Sequence, residues 1–413
     1  MLFKYKAKNE TGELKEGTAE VKDQVALARQ LREEGFFIVD VEIQDTGKSK
    51  SFLKKWAQFD IKQITEKIRG VSLEEKMMFS RNLSVMIESG ITITRSLEVL
   101  QKQTQSPTFG VAIRKINESI KKGIPFSEAI QDYPKTFDEL YSSMIKVGEA
   151  AGNLDKTLNI LADQLEKQYE LRSKVKGAMT YPIIIVIAMT GVGILMMVTI
   201  VPQLEKVFID LDIDLPITTQ LVLLLSDILQ KFWWLIIALI PVIVFSVKKY
   251  SDSTSGKIFF SWIFLHLPLF KGLSQKINNA IFARNTSSLI RGGVPLVEAL
   301  SITSKTLSNT FFQSSLLDSV KQVKKGKSLH ETLRIYPKLY TPLMMEMVEV
   351  GEESGKLSDL LERVAIFYEG EVSDITDNMS AIVEPILMIF IGITVGFFAV
   401  SVMQPIYGML GSL

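Results

Sequence analysis

Two Gly-Lys-Ser tripeptides, at 47–49 and 326–328, and the pair His330-Glu331 are the residues here whose types could do chemistry. A P-loop needs another glycine five residues before the one preceding lysine, because the backbone amides of the whole loop cradle the phosphates. Those positions hold Glu42 and Lys321, so neither tripeptide reads as a nucleotide site. Gly191-Val192-Gly193 opens like a dinucleotide fingerprint, but Met196 stands where the third glycine belongs and the run around it is apolar. The stretch His330-Glu331-Thr332-Leu333-Arg334 lacks the second histidine of a zinc protease, and the only other histidine is His266; both read as interfacial or surface residues. With no cysteine, disulfides, thiolate metal sites and cysteine nucleophiles are excluded. Lys plus Arg (47) nearly balances Asp plus Glu (46), which removes the compositional case for nucleic-acid binding. Carboxylates follow helix surfaces, where solvated faces are the ordinary reading. No catalytic residue, cofactor site or metal site is expected.

The elements that must position the remaining residues are dominated by apolar runs, in keeping with a mean hydropathy of +0.20. Residues 183–201 form a 19-residue stretch without a charge, about 28 Å as a helix, which matches a hydrocarbon core. Residues 385–403 form a second such run. Between them, 232–247 is only 16 residues and reads either as a buried core helix or, with 221–230 continuing the same helix, as a span. No apolar signal segment is expected in the opening residues, so the first about 180 residues are expected in the cytoplasm. Arg172, Lys174 and Lys176 precede the first run; Glu205, Asp210, Asp212 and Asp214 follow it; Lys248, Lys249, Lys257 and Lys271 follow the middle run. The positive-inside bias then gives a cytoplasmic N-terminus and an extracytoplasmic tail.

The phrase GEAAGNL at 148–154 returns as GEESGKL at 351–357, 203 residues later. At the same offset Phe79, Arg81 and Asn82 match Phe282, Arg284 and Asn285; Tyr133-Pro134 matches Tyr336-Pro337; Met144 matches Met347; Pro182 and Pro202 match Pro385 and Pro405. One unit, a soluble part plus the span after it, occurs twice. Two equivalent bundles on one membrane face, each ending in an equivalent span, require one additional crossing, which 221–247 supplies.

Within the unit, Ser72-Leu73-Glu74-Glu75 is a capping box opening a helix that Gly90 closes. Thr94 starts a second helix that Pro107 ends; the third runs 109–122 to Gly123, the fourth 126–133, the fifth 137–149, and a long sixth begins near Asn153 and leads toward the membrane. In the recurring turn, Gly152 supplies an unrestricted backbone and Asn153 a helix cap, which Lys356 in the second copy does not. A helix–helix turn is one reading. A docking face is the other, with Gly148, Glu149, Gly152, Asn153, Gly351, Glu352, Gly355 and Lys356 as candidates. Glu384, before Pro385, is either snorkelled to headgroups or paired inside a helix assembly, and Gly392 and Gly396 form a small-xxx-small face for membrane helix packing.

The expected organisation is mainly α: a small α+β N-terminal domain (1–45), a basic linker (46–70), a first cytoplasmic bundle of about six helices (71–180), a transmembrane helix (182–202), an acidic extracytoplasmic loop (203–220), a second transmembrane helix (221–247), a second bundle (248–383), a third transmembrane helix (384–404) and a tail (405–413). In the linker, Phe52, Trp56 and Phe59 beside Lys54 and Lys55 suit either the anionic leaflet or packing on the next bundle.

The duplicated bundle-plus-span, the two turns, Tyr181-Pro182, the run from Val201 to Leu229, the closing stretch from Glu384 and the N-terminal FKYKAKNETGELKEGTAE together resemble the family of type IV pilus inner-membrane platform proteins and type II secretion F proteins. The resemblance covers nearly the whole chain; Lys356 is its one departure. It implies a non-enzymatic, multi-pass, homo-oligomeric scaffold in the inner membrane, with no cofactor. Its implied partners are a cytoplasmic hexameric assembly or retraction ATPase, pilins or pseudopilins, other inner-membrane assembly components and the lipid bilayer, but no nucleic acid. Pilus assembly and protein export remain alternatives. A transporter or membrane enzyme would need polar residues at mid-bilayer, where the first and last spans offer only Thr190, Thr199, Thr394 and glycine.

Overall fold

The computed structural model describes residues 2–9, 14–20, 27–28, 31–32, 35–44, 71–210 and 215–410. The linker with its aromatics, the tripeptide at 47–49, most of the expected helix at 23–34 and the acidic stretch 211–214 lie outside the described residues. The chain divides into two compact units, Met1–Arg69 and Gly70–Leu413.

In the first unit, β1 (Leu2–Asn9) lies between β2 (Leu14–Glu20) and β3 (Phe36–Gln44), antiparallel to both. The β1–β3 register shifts between Lys6 and Ala7. Leu27 and Leu31, helical in the connection, bury against Ala7.

The second unit is helical. In chain order α1 (Leu73–Glu88), α2 (Ile93–Gln103), α3 (Pro107–Lys121), α4 (Phe126–Gln131) and α5 (Glu139–Ala150) lead into α6 (Leu154–Thr199). After α7 (Val201–Asp210), α8 (Ile217–Asp252) and α9 (Thr254–His266), the set returns. It comprises α10 (Pro268–Arg291), α11 (Leu296–Thr306), α12 (Thr310–Val323), α13 (Leu329–Arg334), α14 (Pro342–Ser354) and α15 (Leu357–Asp377), followed by α16 (Met379–Leu410). The starts of α2 through α6 and of α11 through α15 differ by 203 residues without exception.

Local chemistry explains the shared starts. Ser72 and Glu75 form both halves of the expected capping box. Ser106 and Asn309 cap α3 and α12, and Asp138 and Thr341 cap α5 and α14, by accepting amide hydrogens; the cap survives although the residue changes. Pro107 was expected to end α2 but occupies the first turn of α3, where its missing N–H has no helical partner to lose.

Each bundle closes on an aromatic cluster at equivalent positions. Phe79, Phe109 and Phe137 pack at centroid separations of 5.2 to 6.1 Å, and Phe282 and Phe312 flank Tyr340 at 5.7 and 5.5 Å. The bundles are not separate bodies: Leu289, Val294, Ala299 and Ile302 of the second complete the core of the first.

Two helical stretches among the described residues are long and apolar enough to cross a membrane, within 154–209 and 383–405, with mean hydropathy of 2.7 and 2.6. The first is one continuous helix with the bundle: α6 spans 46 residues, about 69 Å at about 1.5 Å each. The second copy departs from this plan. Asn378, at φ −90° and ψ 0°, separates α15 from α16. The middle run and the helix from Ile217 meet at a kink: Phe232 has non-helical φ −116° and ψ 18°, so two helical pieces adjoin there within α8.

Candidate functional site

The recurring turn divides into a buried half and an exposed half. Glu149 reaches back to α4 and accepts the amide hydrogens of Phe126 (2.7 Å) and Ser127 (2.9 Å). Glu352 does the same for Leu329 (2.6 Å) and His330 (2.9 Å) at α13. Each carboxylate thus occupies two of the amides that a helix start leaves without partners, and lies at the positive end of its dipole. Gly148 and Gly351 are buried where helices cross. A Cβ at Gly148 would lie 2.3 Å from Thr157 Oγ1, and one at Gly351 2.9 Å from the Cα of Leu357. The glycine-glutamate pair therefore clamps the fifth helix of each bundle to the fourth and sixth.

The exposed half is Gly152-Asn153 and Gly355-Lys356. Both glycines have φ +69°, the left-handed region that side chains other than glycine rarely adopt. Asn153 occupies the cap position but accepts no amide hydrogen. At φ −120° and ψ 41° its backbone carbonyl accepts the hydroxyl of Thr157 at 3.2 Å, and the carboxamide oxygen lies 3.5 Å from the same hydroxyl. Lys356 takes nearly the same backbone, φ −110° and ψ 32°, also without a side-chain cap. The difference in capping expected between the copies is absent: both turns are set by the backbone.

An ion pair repeats beneath the turns. Arg81 on α1 holds Asp163 and Glu166 on α6 at 2.6 and 2.9 Å. Arg284 on α10 grips both oxygens of Glu369 on α15, at 2.8 and 2.7 Å, with its side chain 12% exposed against 34% for Arg81. Arg81 and Arg284 were visible as matching residues, and Glu166 and Glu369 match at the same offset, so the pair could have been found in the sequence. Burial pushes the phenols of Tyr141 and Tyr340 well above the usual tyrosine range. Their hydroxyls meet Ser80 and Ser315, each at 3.0 Å. His330, expected at a surface, is mostly covered and hydrogen-bonded through Nδ1 to Glu352 at 2.9 Å; its ring supports the clamp. His266 is exposed and stacks on Trp262.

The membrane candidates stand apart from the turns. Glu384 is exposed on α16 and has no ion-pair partner among the described residues. Pro385 lies inside the same helix, and a Cβ at Gly392 or Gly396 would meet nothing within 4 Å. The threonines of the spans turn inward on their own helices: Thr190, Thr199 and Thr394 donate to carbonyls four residues back, at 2.8, 2.6 and 2.8 Å. Helix α8 holds the other two apolar helices through side chains, with Ser226 donating to the Met197 carbonyl (2.6 Å) and Thr219 to that of Ser401 (2.5 Å). Where α6 leaves the bundle it lines, with α10, a cleft of about 550 Å³ bearing Arg172, Lys176, Met179 and Ile183.

The family described as type II secretion system (T2SS), protein F, matches residues 79–202 and again 282–405, the same 203-residue offset. The N-terminal domain described for type II secretion system protein F matches residues 1–42. The type IV pilus assembly protein PilC of Thermus thermophilus is 33% identical over 412 residues, covering 100% of this chain and 99% of its own length. PilC of Myxococcus xanthus is 31% identical over 411 residues, covering 100% and 95%. The type II secretion system protein F of Aeromonas hydrophila is 29% identical over 382 residues, covering 92% and 95%.

Proposed function

Because this chain belongs to the type II secretion system protein F family, we propose that it is the non-enzymatic inner-membrane platform of a type IV pilus machine, coupling a cytoplasmic hexameric ATPase to insertion or removal of pilins at the fibre base. The observation that carries this reading is the continuity of α6, which runs without a break from the turn at Gly152 through the bundle into the apolar stretch. From Leu154 to Ile183 such a helix covers about 44 Å. A partner that moved the membrane-distal turn would therefore tilt the span itself. The paired turns, Gly152-Asn153 and Gly355-Lys356, are the docking points in this account: exposed, backbone-defined and repeated. Glu384, Pro385, Gly392 and Gly396 would face other helices of the assembled machine.

In the same reading α8 is a third crossing, the N-terminus is cytoplasmic and the C-terminus extracytoplasmic. The direct packing of the two bundles supports this topology, since bundles in contact lie on one side of a bilayer.

Inserting flexible residues between Lys174 and Gly177 tests the coupling. Loss of fibres with normal membrane insertion is expected; normal piliation would overturn it. A second reading, export of proteins through pseudopilins, is favoured by the likeness to protein F of Aeromonas hydrophila. A deletion strain separates the two, losing pili in the first case and secreted enzymes in the second.

A further inference from the structure

The face that α6 turns toward α10 changes character along its length. Gln168, Arg172, Lys176, Met179 and Ile183 recur at intervals of three and four, the spacing of one helical face, and all line the cleft of about 550 Å³. Ile277, Ala280 and Ile281 of α10 form its other wall. At the end within the bundle the walls are tied together, Gln164 donating to Asn285 and Asn285 to Thr306. At the other end stands Ile183, the first residue of the charge-free run, so the cleft ends where the apolar stretch begins. Lys176 and Arg172 lie about 10 and about 16 Å back along the helix. Side chains of this length reach a headgroup layer from there.

A second cleft, of about 690 Å³, adjoins the first: it shares Val175, Met179 and Ile277 and is walled by Phe260 and Phe264 of α9. Elsewhere on α9, Ile258, Phe259 and Trp262 are each about half exposed. Apolar and aromatic surface of this kind marks a bilayer interface, and it sits beside the same stretch of α6.

The charges of the first cleft are unequally matched. Its carboxylate among the described residues, Glu369, is held by Arg284, and Lys167 is paired with Glu170. Arg172 and Lys176 have no carboxylate partner among the described residues, and both are exposed. Two uncompensated cations beside an apolar slot that leads into the span are complementary to an amphiphile with an anionic head.

We propose that this cleft holds one anionic phospholipid, its phosphate between Arg172 and Lys176 and an acyl chain along Val175, Met179 and Ile183 against α10. The proposal requires α6 to enter a bilayer, and stands whether or not movement of that helix drives a pilus.

Native mass spectrometry of the full-length chain in a neutral detergent tests it, with palmitoyl-oleoyl phosphatidylglycerol as the probe and phosphatidylcholine of the same chains as the zwitterionic counterpart. The most tightly held lipid is expected to be phosphatidylglycerol. Arg172→Gln and Lys176→Gln should each weaken it about fivefold, and the double variant about 25-fold. Lys174→Gln removes a charge from the same stretch but outside the cleft, where Lys174 donates to Ser373, and should leave the affinity unchanged. Glycerol phosphate, a headgroup without a chain, should not displace the lipid at millimolar concentration. Equal affinity for the two lipids, or binding of neither, would overturn the proposal. So would equal losses in Lys174→Gln and the cleft variants, all folded by circular dichroism, because the attraction would then be diffuse. Displacement by glycerol phosphate would overturn it too, by showing a plain anion site.

Discussion

Arg284 grips Glu369 with two nearly parallel hydrogen bonds, of 2.8 and 2.7 Å, between the first and sixth helices of the second bundle. The geometry is bidentate and the pair largely covered, with side chains 12% and 18% exposed. Removing Glu369 leaves the largely covered guanidinium, among the described residues, with only Glu362, 3.7 Å away, so Glu369→Ala is expected to cost about 3 kcal/mol. The equivalent Arg81–Glu166 pair is open to solvent and shared with Asp163, so Glu166→Ala should cost under about 1 kcal/mol. Thermal melting of the detergent-solubilised variants checks the ranking, and equal losses would contradict it.

Glu149 and Glu352 do the same work at different helices. Alanine at either position strips two backbone amides of their acceptor, an expected loss of about 1–3 kcal/mol. Amide exchange locates the effect: Glu149→Ala should speed exchange at Phe126 and Ser127 and leave Leu329 unchanged. Uniform acceleration through both bundles would argue against a local clamp.

The two buried glycines differ in what they meet, and so in how they can be rescued. Gly148→Ala collides with a side chain, that of Thr157, and should cost about 1–3 kcal/mol. Thr157→Ala in the same chain is expected to recover most of it. Gly351→Ala collides with the backbone of Leu357, so truncating that side chain should recover little. Melting temperatures of the four variants suffice.

Burial keeps the phenols of Tyr141 and Tyr340 protonated above the pH at which an exposed tyrosine ionises. The sign follows: the folded state holds these protons more tightly than the unfolded one. The contribution is therefore intact below about pH 10 and drains away as the pH rises beyond it. Tyr141→Phe should cost about 1 kcal/mol at neutral pH through the lost Ser80 hydrogen bond and flatten the alkaline fall in melting temperature. An unchanged alkaline slope in the Tyr141→Phe, Tyr340→Phe double variant would refute it.

Most of the repeated architecture was legible because glycines and capping residues mark helix ends by local chemistry. Gly90, Gly123 and Ser72 did so at the expected places. Pro107 misled, since a proline that cannot continue one helix is equally suited to begin the next. Asn153 marked the right residue for the wrong reason, its side chain turning to Thr157 rather than to an amide. The inter-bundle contact was hidden because Leu289 and Ile302 have the same apolar character whether they face their own core or a neighbour's. Nor does any glycine or proline announce the break at Asn378, which separates bundle helix from apolar helix in the second copy but has no counterpart in the first.

The central claim, that a duplicated unit places both bundles on one membrane face with an extra crossing between them, has a direct test in labelling intact cells with a membrane-impermeant maleimide. The three single variants are Asn153→Cys, Lys206→Cys and Lys356→Cys, each exposed and in an otherwise cysteine-free chain. The account predicts that position 206 alone labels in intact cells, and that 153 and 356 label together only after permeabilisation. Labelling of 153 and 356 from opposite sides of the bilayer would contradict it.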